Sequence, residues 1–165
     1  MSKRIVLVTG ISAVVALCLF WLFWSGEEDR IRDQFDELSA LGSKARHASP
    51  LSDALRLKEL GDLFSAKIVL KTGARAGLAG EYTNRELMNR FGRIRVFAKR
   101  LELRFEELEF LSIQDTEAKV TVKVHAGGTD KQGNAHGEDF QAEVLLQKSE
   151  GDWKFSHFTY LVPLP

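Results

Sequence analysis

The pattern of apolar and polar positions divides the chain into an uncharged run, a helical stretch and a stretch of alternating strands. From Ile5 to Trp24 the sequence reads IVLVTGISAVVALCLFWLFW without a charge. Twenty residues of helix rise about 30 Å, the thickness of a bilayer hydrocarbon core, so this run predicts a membrane-spanning helix. A cleaved secretory signal has a shorter apolar region that ends in small residues. Here the run ends in Phe23 and Trp24, so the segment is expected to stay as a signal-anchor. Phe20, Trp21, Phe23 and Trp24 would mark one headgroup boundary.

Beyond the run, apolar residues recur at helical spacing. Glu27, Glu28 and Asp29 open a helix that places Ile31, Phe35, Leu38 and either Leu41 or Ala40 on one face, and Gly42 ends it. Pro50 suits the first position of a second helix carrying Leu57, Leu60 and Phe64. Ala66 to Leu70 reads as a short strand. The glycine-rich stretch from Gly73 to Gly80 has no phosphate-loop spacing and is expected to be a connector. Thr83 and Glu86 form a capping box, which predicts a third helix burying Leu87, Phe91, Ile94 and Ala98 or Leu101.

From Leu101 the period becomes two. Leu101, Leu103 and Phe105 share one phase and Leu108 and Phe110 the other, so a β-bulge is expected at Glu106-Glu107. Three further strands follow: Val120 to Val124, Phe140 to Leu146, and Trp153 to Tyr160. Between them lie Gln114-Asp115-Thr116, a polar loop from Gly127 to Gly137, and Ser149 to Asp152. This is the pattern of an antiparallel meander with one buried face.

Composition narrows the functional classes. Lys and Arg number 23 and Asp and Glu 23, so no global field favours nucleic acid, and no nucleic-acid partner is expected. The only cysteine, Cys18, lies in the apolar run, which leaves neither a disulfide framework nor a cysteine metal site. Locally, Arg85 to Arg104 holds seven Lys or Arg against two Glu. A solvated helix face, contact with anionic lipid headgroups and docking of an acidic partner all fit such a run.

The order of two helices, a strand, a third helix and a bulged meander ending in Gly-Asp-Trp-Lys-Phe resembles the nuclear transport factor 2-like superfamily. That resemblance covers Glu27 to Leu164. It implies an α+β cone, three helices packed on a curved antiparallel sheet, behind an N-terminal transmembrane helix. The expected organisation is a cytoplasmic tail at 1–4, a span at 5–24 and the α+β domain at 25–165. The superfamily includes isomerases, dehydratases, scaffold proteins and membrane-anchored assembly proteins, and the anchor-plus-domain plan is similar to single-pass subunits of type IV secretion systems.

The candidate chemistry is sparse. His157 is the one titratable residue on the apolar phase of the last three strands and is the candidate for a ligand pocket. No catalytic residue is assigned. Asp130, Asn134, His136, Glu138 and Asp139 gather in and beside one loop, but their spacing matches neither a calcium loop nor a zinc signature, so neither a metal nor a cofactor is expected. Leu145, Phe158 and Tyr160 interrupt a polar phase. If Lys148 faces Trp153 across the turn, Leu145 lies opposite Ser156 and diagonal to Phe158, making an apolar patch on the outer sheet face.

The sequence therefore predicts a single-pass membrane protein, anchored through 5–24 with Lys3 and Arg4 inside and the domain outside the cytoplasm, as in a bacterial inner membrane. Its expected role is a non-enzymatic interaction or assembly domain, with a homodimer or protein partner on the outer sheet face. The alternatives are binding of a small apolar ligand inside the cone and an isomerase- or dehydratase-like enzyme.

Overall fold

Local chemistry sets both helix starts that can be seen in full. Ser49 caps one helix, its hydroxyl accepting from the Ser52 amide at 3.2 Å, with Pro50 in the first position. Thr83 and Glu86 close the expected capping box, the Thr83 hydroxyl accepting from the Glu86 amide and the Glu86 carboxylate from the Thr83 amide at 2.8 Å. The computed structural model describes residues 26–45, 49–71 and 79–164. In it, α1 covers 26–42, α2 Pro50–Asp62, β1 Phe64–Lys71, β2 Gly80–Thr83 and α3 Asn84–Phe97. Strands β3 Ala98–Ile113, β4 Glu117–Asp130, β5 Ala135–Ser149 and β6 Asp152–Pro163 complete the order. The expected tail at 1–4 and span at 5–24 lie outside the described residues. Among the described residues, no helix is long and apolar enough to cross a membrane.

The strands form one sheet in the order β2-β1-β6-β5-β4-β3, antiparallel throughout except for the β1–β6 pair. Residues paired across antiparallel strands point to the same face, so register fixes the faces. Ala118, Val120, Val122 and Val124 pair with Leu146, Val144, Ala142 and Phe140, and all but Phe140 are fully buried under the helices. From α1, Ile31, Phe35 and Leu38 reach this inner face. The Phe35 ring meets Phe105 and Phe155 edge-on at 5.2 and 5.0 Å, and burying each such ring contributes roughly 1.5–3 kcal/mol.

Among the register shifts in the sheet, two bear on the site. The first is the one expected on β3: Glu106 pairs with Lys123 and Glu109 with Thr121, and Glu107 takes a positive φ of 51°. The second is on β6. Leu145 pairs with His157 and Leu146 with Phe155, so Ser156 is the extra residue. It is buried, and its hydroxyl donates to the Leu145 carbonyl at 3.0 Å.

Four boundaries differ from the sequence reading. Phe64 begins β1 and is not part of α2, and a short β2 edges the sheet. Strand β3 starts at Ala98. The stretch from Gly127 to Gly137 is not a loop but the continuation of two strands, joined by a tight turn at 131–134. On α3, Ile94 is 42% exposed while Arg95 is 4% exposed, the reverse of the amphipathic expectation.

Candidate functional site

The inner face is filled at one end of the sheet and open at the other. Along β4 its inward side chains are Val120, Val122 and Val124, then Ala126 and Gly128. Side-chain volume shrinks toward the β4–β5 turn. Gly128 is obligatory here, because a Cβ would stand 2.7 Å from the Arg100 carbonyl oxygen of the neighbouring strand. The result is a cleft of about 710 Å³. Phe91, Ile94 and Phe97 of α3 form one wall, and Leu101, Leu103 and Ala126 form the floor.

One rim gathers Asp130, His136 and Glu138, while Arg93 on the α3 side and Glu102 on β3 also border the cleft. His136 pairs with Gly128 and Glu138 with Ala126, so both side chains belong to the inner face. The Tyr160 hydroxyl donates to a Glu138 carboxylate oxygen at 3.1 Å, and the Tyr160 ring stacks on Phe140 at 5.1 Å. Asp130 accepts from the side-chain and backbone nitrogens of Asn134 at 2.9 and 2.8 Å, with His136 Nε2 3.4 Å away. The Asn134 side-chain bond, followed by its backbone amide, holds the Asp130 carboxyl below the ordinary aspartate range. Glu138 and His136 are both open to solvent. The arrangement can orient the polar end of an otherwise apolar molecule.

The bulge at Ser156 rearranges the residues singled out from sequence. Lys148 does face Trp153, as expected, but beyond Ser156 the faces exchange. Phe158 pairs with Val144 and turns inward, where its ring lies 5.5 Å from Phe155 and 6.1 Å from Phe64. Tyr160 pairs with Ala142, also inward. Leu145 remains on the outer face, and its partner there is His157, with Val69 of β1 on the other side. The expected patch of Leu145, Phe158 and Tyr160 is therefore divided between two faces, and His157 lies outside the cone. The physical reason is the period itself: one inserted residue reverses the side chains that follow it, here up to the next register shift at Leu161.

Another pair was missed. On the outer face His125 Nδ1 contacts the Asp139 carboxylate, beside the Lys123–Glu107 ion pair, in a depression of about 370 Å³. Both residues were read as polar-phase or loop positions, and only register brings them together.

No protein-family model matches the chain, and no curated protein sequence matches it. Solved structures do. A Streptomyces avermitilis protein assigned as a dehydratase of the nuclear transport factor 2-like family shares 9% identity, with a TM-score of 0.63 over 86% of this chain and 99% of the other. A hexachlorocyclohexane dehydrochlorinase shares 12%, with a TM-score of 0.64 over 87% and 93%. Kfla4162 from Kribbella flavida shares 8%, with a TM-score of 0.69 over 84% and 91%. The described residues thus have the nuclear transport factor 2-like α+β fold, a fold that hosts unrelated functions.

Proposed function

We propose that the domain is a binding module whose cleft takes a small, largely apolar ligand. The observation that carries this reading is the cleft itself: about 710 Å³, with Phe91, Ile94, Phe97, Leu101, Leu103 and Ala126 supplying most of wall and floor and Asp130, His136 and Glu138 together at one rim. Pockets of this size and lining bury most of a small molecule's surface. The similar structures lend support, since one is named as a hexachlorocyclohexane dehydrochlorinase and another as a dehydratase. An assembly role through an outer apolar patch loses its main premise once Phe158 and Tyr160 turn inward. The uncharged run at 5–24 would tether the module to a membrane, with the domain outside the cytoplasm.

Photolabelling tests the cleft. The full chain, reconstituted in lipid nanodiscs, is irradiated with a neutral phenyl-diazirine probe and the labelled peptides are mapped by mass spectrometry. Labels should concentrate on peptides containing Phe97, Leu101 and Ala126. Ala126→Trp, which fills the floor, should reduce that labelling several-fold while leaving the unfolding midpoint near its original value. Labelling spread evenly over the exposed surface, or indifferent to Ala126→Trp, would remove the cleft as the binding site.

A further inference from the structure

A second surface lies next to the cleft but does not depend on what the cleft holds. Helices α2 and α3 run antiparallel: a Cβ on Gly61 would touch Met88, a Cβ on Gly92 would touch Leu57, and Asp53 binds Arg95. The first turn of α2 therefore stands beside the last turn of α3. Large apolar side chains are presented to solvent at that shared end, with Leu51 72%, Val96 61% and Phe97 70% exposed. Burying these three elsewhere would have been favourable, so their exposure calls for a partner.

On the cleft side Phe97 is bordered by Asp130 and Glu138, but toward α2 and the start of β3 the charges around these residues are mainly cationic. Arg93 and Lys99 have no ion-pair partner among the described residues, and Arg56 donates only to the Ala40 carbonyl. Arg100 pairs with Glu102, and Asp53 is held by Lys44 and the buried Arg95. Beside the apolar residues is a depression of about 510 Å³ lined by Ser43, Lys44, Arg56, Arg100 and a single carboxylate, Glu102. The chain as a whole has no net charge, so this cationic end is a local asymmetry. Its balance lies elsewhere, in part in the acidic first helix.

We infer that the α2–α3 end docks on an anionic lipid surface. Leu51, Val96 and Phe97 enter the headgroup region, and Arg56, Arg93 and Lys99 meet the lipid phosphates. Apolar side chains ringed by cations are what such a surface attracts: the apolar groups leave water and the cations meet its negative potential. A protein partner would need a matching shape around the ends of two helices. A bilayer needs none. Lipid also fits the position of Phe97, whose ring forms both the exposed end and a wall of the cleft.

The test uses the full chain with Cys18, its only cysteine, replaced by serine. A fluorophore is placed at Val96→Cys or, at the far end of β3, at Ser112→Cys. Each protein is reconstituted into vesicles of phosphatidylcholine alone or with added phosphatidylglycerol, containing brominated lipid as a quencher. The Val96 label should be quenched at least about twofold more in the anionic vesicles, and Arg93→Gln with Lys99→Gln should abolish the difference. The Ser112 label should stay unquenched. Equal quenching in both lipids would mean that the apolar tip is covered by something other than an anionic surface. Quenching of Ser112 in place of Val96 would put the opposite end on the membrane. Insensitivity to the two glutamines would remove the electrostatic part. Any of these results overturns the inference.

Discussion

The two ends of α1 are held in different ways. At its start, Glu27 accepts from the Trp153 indole nitrogen at 2.6 Å and from the Lys148 ammonium at 2.9 Å. Beneath this clasp the space is full, with Ile31, Phe35, Trp153 and Phe155 all buried. At its end, the Arg95 guanidinium donates to the carbonyls of Leu41, Gly42 and Ser43 at 2.9, 3.2 and 3.4 Å and to Asp53 at 2.8 Å. Lys44 ties Asp53 to the Arg95 and Ala98 carbonyls. The last carbonyls of a helix lack intrahelical partners and favour a cation, which explains the buried arginine. At the Glu27 end, charged bonds decorate a packed core. At the Arg95 end they replace one, so the cleft alongside can stay open without the frame collapsing. Directional bonds fix a gap that side-chain packing would have closed.

Breaking the packed end should have the largest effect. Trp153→Ala removes a buried ring and the donor to Glu27, and should cost about 3–5 kcal/mol in urea unfolding of the detergent-solubilised chain followed by circular dichroism. Arg95→Met keeps bulk but strips four acceptors of their partner. It should cost about 3 kcal/mol, at the low end for breaking a buried pair, because Lys44 still holds Asp53. If Arg95→Met proves neutral while Trp153→Ala does not, the polar latch is not what holds that end.

Acid separates the two clasps more gently. Burial works to raise both carboxyls, but the hydrogen bonds outweigh it: Lys148 and Trp153 hold Glu27 below the ordinary glutamate range, and Arg95 and Lys44 hold Asp53 below the aspartate range. A depressed carboxylate contributes stability that is present above its unfolded pKa and is lost as pH falls through its folded value. With unfolded values of about 4.3 for Glu and 3.9 for Asp, both contributions should begin to fade just above pH 4 and disappear below it. Glu27→Gln and Asp53→Asn should each lower stability at pH 7 by about 1–2 kcal/mol and flatten the acid limb of the stability curve. An acid limb unchanged in both variants would show that other carboxylates control it.

The sequence disclosed what local chemistry decides. The Ile31-Phe35-Leu38 face, the Thr83 capping box, the Glu106-Glu107 bulge and the pairing of Lys148 with Trp153 were all readable from spacing. What escaped depended on contacts distant in sequence. Ser156 interrupts no visible pattern, since Trp153, Phe155, His157 and Thr159 alternate without a break; the sign was that Phe158 and Tyr160 are aromatic on a phase otherwise polar. Arg95 looked like one more exposed base because its carboxylate partner is 42 residues away. The cleft left a trace, the decline from Val124 to Ala126 to Gly128 on one phase, but glycines there suggested a loop. Those glycines instead let two strands approach while leaving the floor empty.

The smallest expected change in stability concerns the cleft wall and carries the most functional information. Phe97 and Phe155 are the same side chain in opposite settings, 70% exposed at the cleft mouth and fully buried in the core. Phe155→Ala would leave a cavity and cost several kcal/mol. Phe97→Ala leaves none, because water already reaches most of the ring, so the unfolding midpoint should move by the equivalent of about 0.5 kcal/mol or less. The same change removes part of one wall of the cleft and one apolar group from the lipid-facing end. Photolabelling of the Leu101 and Ala126 peptides should therefore fall several-fold in a protein that unfolds almost normally. A stability loss as large as that of Phe155→Ala would mean that the mouth is closed and packed. Unchanged labelling with unchanged stability would mean that the ring stands clear of any ligand.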